Sequence, residues 1–128
     1  MIEITEEILQ KLRPVYMDML IEIDRICRKN NINYSLDSGT LIGAIRHGGF
    51  IPWDNDADVA MSRSEYEKFF EACKRDLNKE KFFLQDFRTD KNYRWGFPKI
   101  RYNNTIWLMP GQEKTNWHKG IFVDIFVY

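Results

Sequence analysis

The sequence contains little cysteine, and its two cysteines lie far apart. Cys27 and Cys73 have neither CxxC spacing nor a histidine close by in the sequence. This argues against a disulfide scaffold, a zinc site and a thiol nucleophile. We therefore expect two buried thiols.

The chain has no formal net charge, because its 19 lysines and arginines balance its 19 aspartates and glutamates. A neutral chain has no general attraction to nucleic acid or to an anionic membrane surface, so any recognition of phosphate must be local. Residues 1–7 are acidic where a signal peptide is basic, and no apolar run approaches the length of a membrane span. These absences predict a cytoplasmic protein with no transmembrane segment and no nucleic-acid partner.

The hydrophobic residues that are present predict one domain with helices and strands. The chain has 128 residues, of which 44% are hydrophobic, enough for a core. Apolar residues recur at three- and four-residue steps over 8–26, which predicts an amphipathic helix that Pro14 divides near Arg13 and that ends at 30–31. Further helices are predicted over 41–46 and over 64–77, the latter with Ser64 as its N-cap.

The strand pattern covers most of the remaining chain. Strands are predicted over 34–37, 57–61, 82–87, 97–101, 105–109 and 121–128, with Asn103 and Asn104 as a hairpin turn. The last segment is nearly all apolar, which is typical of a strand buried on both faces.

Three carboxylates crowd together at Asp54, Asp56 and Asp58. Alternate residues of a strand share a face, so these three side chains would point one way while Ala57, Val59 and Met61 point towards the core. Like charges this close disfavour one another's ionisation unless a cation lies among them, and Mg²⁺ prefers carboxylate and water oxygens. The pattern therefore indicates a metal site, with a solvated acidic turn as the alternative.

Asp124 is the one carboxylate inside the apolar segment 121–128. An ionised group buried alone is strongly disfavoured, so it must be paired, protonated or bound to a metal. A strand next to Asp56 and Asp58 would complete a three-carboxylate site. The alternative is a structural ion pair to Lys99 or Arg101.

A possible phosphate site precedes the acidic cluster. Gly39 and Thr40 fall between a predicted strand and a predicted helix, where backbone N–H groups can receive an anion and glycine permits close approach. Arg46 follows and can hold phosphate oxygens with two parallel hydrogen bonds. Lys99 and Arg101 alternate on one strand face and offer further positive charge for a diphosphate, although solvation at a sheet edge explains them equally well.

Taken together, these motifs resemble the LicD family, which includes fukutin-like proteins. The resemblance rests on the segments 39–41 and 46–54, on Asp56-x-Asp58, and on the flanking segments 23–27 and 120–126. It implies an α/β, nucleotidyltransferase-like fold with a mixed β-sheet flanked by helices. It also implies that the chain is a single domain over 1–128 and the N-terminal part of a longer protein.

The family's site residues carry over to matching positions of this chain. The resemblance implies that Asp56, Asp58 and Asp124 bind Mg²⁺ or Mn²⁺ and form the catalytic centre, and that Gly39 and Thr40 belong to the turn that holds nucleotide phosphates. Two departures are Asn55, where the family more often has aspartate, and Ala57, where it has a larger aliphatic residue. Neither position is an inferred ligand.

The activity that the resemblance implies is transfer of a phospho-alcohol, such as phosphocholine or a phospho-polyol, from a CDP-activated donor to a glycan acceptor of the cell surface. Two other functions remain open at this stage. One is nucleotidyl transfer with release of pyrophosphate, which the same carboxylates suit. The other is a non-catalytic module that binds nucleotide or metal.

Overall fold

The computed structural model describes residues 6–36, 57–93, 96–105 and 118–128, with side chains from residue 13 onward. These residues form two helices and five strands. In chain order they are α1 (Glu6–Lys29), β1 (Ser35–Leu36), β2 (Asp58–Met61), α2 (Arg63–Asp76), β3 (Phe82–Gln85), β4 (Lys99–Tyr102) and β5 (Phe122–Val127). None of the helices in these ranges is long and apolar enough to cross a membrane.

The five strands form one mixed sheet in the order β1-β2-β5-β4-β3. The centre of the sheet is β5, which runs parallel to β2 and antiparallel to β4. The two outer pairs, β1 with β2 and β3 with β4, are antiparallel. Two helices on a five-stranded mixed sheet confirm the predicted α/β fold.

Both helices pack on one face of this sheet and form a single core with it. The sheet contributes alternate residues to this core, among them Val59 and Met61 from β2 and Val123 and Ile125 from β5. The same alternation turns Asp58 and Asp124 to the opposite face. The prediction that Ala57, Val59 and Met61 point towards the core is confirmed, since all three are buried in it. Cys27 and Cys73 are also buried there as free thiols, and burial raises the pKa of the Cys27 thiol to about 12.

Helix α1 is continuous, so the predicted division near Arg13 is wrong. Pro14 lies inside the helix and is exposed, where water can satisfy the carbonyl that loses its N–H partner. The predicted stop is confirmed. Asn31 has a left-handed φ of 55° just beyond the last helical residue, and the Asn30 side chain donates to the Ile26 carbonyl at 2.9 Å.

The sequence prediction placed the start of α2 and several strand ends one or more residues away from their positions. The strand predicted over 82–87 ends at Gln85 because Asp86 begins a turn. The strand predicted over 97–101 spans Lys99–Tyr102, followed by a turn in which Asn104 has a φ of 64°.

The two faces of β5 are not buried equally. Val123 and Ile125 are buried, whereas Phe122, Asp124 and Phe126 are only partly buried. Most of the predicted strand 105–109, all of 41–46 and Asp37 lie outside the described residues.

The N-cap of α2 is Ser62 and not Ser64, because Ser62 has an extended backbone and its Oγ accepts a hydrogen bond from the Glu65 N–H at 3.3 Å. We expect Ser62→Ala to lower the free energy of unfolding by about 1 kcal/mol, the usual cost of losing such a cap. Ser64→Ala, which removes an exposed hydroxyl from the first turn, is the matched control. Urea denaturation of both variants measures the difference, and equal losses would contradict the assignment of Ser62.

Candidate functional site

The face of the sheet opposite the helices carries a row of polar residues across four strands. Asp58 of β2 is the register partner of Asp124 in β5, and Asp124 is the register partner of Lys99 in β4. Lys99 in turn pairs with Gln85 of β3. Register partners in a sheet point to the same face, so the row brings two carboxylates and one ammonium group together at the centre of the sheet.

Asp124 forms an ion pair with Lys99, the partner that the structural alternative named. The Lys99 Nζ lies 2.7 Å from Asp124 Oδ1, and the two side chains are only 12% and 21% exposed. Within the described ranges, this buried oxygen accepts no hydrogen bond of good geometry. Asp124 Oδ1 is therefore neutralised by the Lys99 charge, and the second oxygen of the carboxylate is not part of this ion pair. The ion pair and the proposed metal role are compatible.

Lys99 is held in place by more than Asp124. Its Nζ donates to Tyr93 Oη at 2.8 Å and to the Phe97 carbonyl at 3.3 Å, and it lies 5.0 Å from the centre of the Phe122 ring. Tyr93 Oη in turn donates to the Phe97 carbonyl at 2.7 Å. The ammonium group is thus fixed beside the carboxylates by neutral acceptors, so sheet-edge solvation does not explain it.

Arg101 is buried beside this row, and it contacts neutral acceptors. It is 2% exposed; its Nε donates to Gln85 Oε1 at 2.7 Å and its Nη1 donates to the Gly120 carbonyl at 2.5 Å. Burial lowers the pKa of Arg101 to about 10, and the side chain stays charged at neutral pH. Since β4 lies between β5 and β3, the sheet-edge account is wrong for Arg101 too.

A polar network continues from Arg101 to the segment that leads into β5. Gln85 Nε2 donates to the His118 carbonyl at 3.1 Å and to Asp90 Oδ2 at 3.2 Å. His118 Nδ1 accepts from the Gly120 N–H at 3.0 Å, which requires the proton of the neutral ring to be on Nε2. Burial lowers the pKa of His118. No motif in the sequence predicts this network, because it joins residues that are distant along the chain.

Four of the predicted site residues, Gly39, Thr40, Arg46 and Asp56, lie outside the described residues. Within the described ranges, no three acidic, histidine or cysteine side chains are close enough together to hold a metal ion. Because Asp56 is the third predicted ligand, the three-carboxylate site stays a prediction.

The two described carboxylates fit a divalent cation. Asp58 is 6% exposed and lies directly across from Asp124 on the neighbouring strand. Hard cations prefer oxygen ligands, and the Asp124 carboxylate has a second oxygen besides the Oδ1 that contacts Lys99. The arrangement can therefore hold a cation between β2 and β5, with Lys99 on its other side.

The described residues thus form an α/β domain with a carboxylate pair on adjacent parallel strands. A family model described as "LicD/FKTN/FKRP, nucleotidyltransferase domain" matches residues 31–128. Because this match covers most of the chain, the protein belongs to the LicD family.

Similar curated proteins include two kinds of transferase. The lipopolysaccharide cholinephosphotransferase LicD of Haemophilus influenzae is 51% identical over 61 residues, which is 48% of this chain and 23% of that protein. The ribitol 5-phosphate transferase FKRP of Homo sapiens is 50% identical over 30 residues, which is 23% of this chain and 6% of that protein. The chain therefore spans less than a quarter of the length of these relatives.

Proposed function

We propose that this domain binds metal and the activated donor in a transferase that moves a phospho-alcohol, such as phosphocholine or a phospho-polyol, from a CDP-activated donor to a glycan. Family membership and the names of the two relatives support transfer of a phosphorus-containing group. The observation that carries the proposal is the pairing of Asp58 with Asp124 across parallel strands, where the two side chains are largely buried.

In this proposal Asp58 and Asp124, together with Asp56, hold Mg²⁺ or Mn²⁺. A bound cation supplies positive charge that stabilises the oxygens of a diphosphate as the phosphoryl group is transferred. Lys99 adds a fixed positive charge on the same face of the sheet. The predicted turn at Gly39 and Thr40, with Arg46, receives the rest of the donor's phosphate charge. These residues position the donor so that an acceptor hydroxyl attacks in line.

Asp124 has a second possible task, which is to accept the proton of the attacking hydroxyl. We favour the metal role, because Asp124 lies directly across from Asp58 on the neighbouring parallel strand. We propose the cytoplasm as the compartment of the reaction.

The test is incubation of the purified chain with Mg²⁺, a panel of CDP-alcohols and candidate glycan acceptors. We expect release of CMP, which accompanies transfer of a phospho-alcohol. Release of pyrophosphate from a nucleoside triphosphate instead would support nucleotidyl transfer, and binding of CDP-alcohol without turnover would support a non-catalytic module. Absence of both binding and turnover in a folded chain would contradict the proposal.

A further inference from the structure

We propose that Lys99 couples the binding of the divalent cation to the binding of the anionic donor, so that each strengthens the other. This inference rests on the proposed function and concerns how its two ligands depend on each other. It starts from the 2.7 Å ion pair between Lys99 and Asp124 in the centre of the sheet.

Lys99 and a cation compete for the negative charge of Asp124. The ammonium already lies against the one Asp124 oxygen that is buried and lacks a hydrogen bond in the described part of the chain. A cation that approaches the same carboxylate meets a positive charge a few ångströms away, in a place with little water to screen it. Lys99 therefore weakens the binding of a cation when no anionic donor is bound.

Lys99 cannot easily relieve this repulsion by moving into solvent. Its side chain is 12% exposed, and Tyr93 Oη and the Phe97 carbonyl hold its Nζ at 2.8 and 3.3 Å. The rings of Tyr93 and Phe122 lie 5.4 and 5.0 Å from the same nitrogen and favour a cation at that position. These contacts do not involve Asp124, so they hold the ammonium group in the site even when Asp124 binds another ligand.

A diphosphate relieves the repulsion because it is attracted to both positive charges. The proposed ligands Asp56, Asp58 and Asp124 together balance the charges of the cation and Lys99, and the buried Arg101 on the same strand as Lys99 leaves one positive charge in excess. An anion that contacts the cation and Lys99 removes the excess. Binding of the two ligands is then positively coupled, and thermodynamic reciprocity requires the same factor in both directions.

Titration with Mn²⁺, in the absence and presence of CDP-choline, measures this coupling directly by calorimetry or by the spectroscopic signal of unbound Mn²⁺. We expect CDP-choline to tighten Mn²⁺ binding by at least about 10-fold in the parent, within the usual range of coupling between sites. In Lys99→Met, Mn²⁺ alone should bind at least about 10-fold more tightly, because the competing charge is gone. The coupling factor should fall towards one.

Three further variants make the result specific to the charge of Lys99. Lys99→Arg keeps the positive charge and should retain most of the coupling. Lys99→Gln removes the charge but can still donate to Asp124, so it replaces Lys99→Met if the latter does not fold. Lys74→Met, at an exposed lysine paired with Glu71 on α2, controls for a general change of charge and should bind both ligands as the parent does.

The two proposals fail in different ways. If the parent binds Mn²⁺ and CDP-choline but the uncharged Lys99 variants keep the same coupling factor, the inference about Lys99 is wrong and the proposed function stands. If the folded parent binds Mn²⁺ neither alone nor with CDP-choline, the metal site is wrong and both proposals fall.

Discussion

Replacement of Asp124 by asparagine should lower the rate of phospho-alcohol transfer by at least about 100-fold, because an amide oxygen is a much weaker ligand for a hard divalent cation than a carboxylate is. The change keeps the shape of the side chain, so the fold should survive. The loss of the Lys99 ion pair should lower the free energy of unfolding by only about 1–2 kcal/mol, because Tyr93 Oη and the Phe97 carbonyl still accept from the ammonium group.

Release of CMP measures the rate, and thermal melts with and without Mn²⁺ measure binding independently of turnover. Mn²⁺ should raise the melting temperature of the parent, because a ligand that binds only the folded state stabilises it. The variant should gain much less. Asp18→Asn, at a half-exposed carboxylate on α1, is the matched control. An equal gain from Mn²⁺ in the parent and in Asp124→Asn would show that Asp124 is only a structural ion-pair partner.

The largest loss of stability should come from Asp86→Ala, at a buried carboxylate away from the proposed metal site. Asp86 is 2% exposed. It accepts from Tyr66 Oη at 2.5 Å, from the Arg88 backbone N–H at 2.9 Å and from Arg88 Nε at 3.0 Å. Alanine leaves the buried Tyr66 hydroxyl and the Arg88 guanidinium without this acceptor. We expect the free energy of unfolding to fall by about 3–4 kcal/mol.

The same residue gives the stability a defined dependence on acid. Burial alone would raise the pKa of Asp86, but the hydrogen bonds from Arg88 and Tyr66 outweigh it and hold the pKa below its ordinary value of 3.8. The unfolded chain therefore takes up this proton more readily than the folded chain does. The contribution of Asp86 is present above about pH 3.8 and is lost as the pH falls through the lower folded value.

Urea denaturation from neutral pH down to about pH 3 measures both effects, with the pH range set by the linkage argument. The difference in stability between the parent and Asp86→Asn should shrink steadily as the solution becomes more acidic. Tyr66→Phe removes only one of the hydrogen bonds and should lose about 1–2 kcal/mol. A stability difference that does not change with pH would mean that the charge of Asp86 contributes nothing.

Several features of this protein could be read from local sequence because local forces produce them. The three- and four-residue spacing of apolar residues gives α1 and α2, and Asn31 ends α1 because asparagine tolerates a left-handed backbone. The alternation of apolar residues in β2 places Val59 and Met61 in the core and turns Asp58 away from it. Apart from the division predicted at Pro14, the errors in the extent of the elements fall at boundaries. At the start of α2, Ser62 and Ser64 are both good caps, and only the backbone angles distinguish them.

The partners of charged residues depended on strand order, which the sequence does not encode locally. The apolar segment around Asp124 indicated that this carboxylate needs a positively charged partner. The sequence left two candidates for that partner, a metal ion or one of the β4 side chains Lys99 and Arg101. Placing β5 between β2 and β4 brings Asp58 to one side of Asp124 and Lys99 to the other. Asp124 therefore has both the proposed metal ligand Asp58 and the ion-pair partner Lys99 as neighbours.

The sequence by itself determined the faces of the main elements and the residues that carry the family resemblance, because each follows from spacing along the chain, and that resemblance implied the α/β class. Tertiary structure alone decided that Lys99 is fixed against Asp124 by Tyr93 and the Phe97 carbonyl. It also decided that Arg101 is buried on neutral acceptors and that Asp86 joins Tyr66 to Arg88. The physical reason is that burial and charge pairing depend on contacts between distant segments, and those contacts exist only once the strands have taken their order in the sheet.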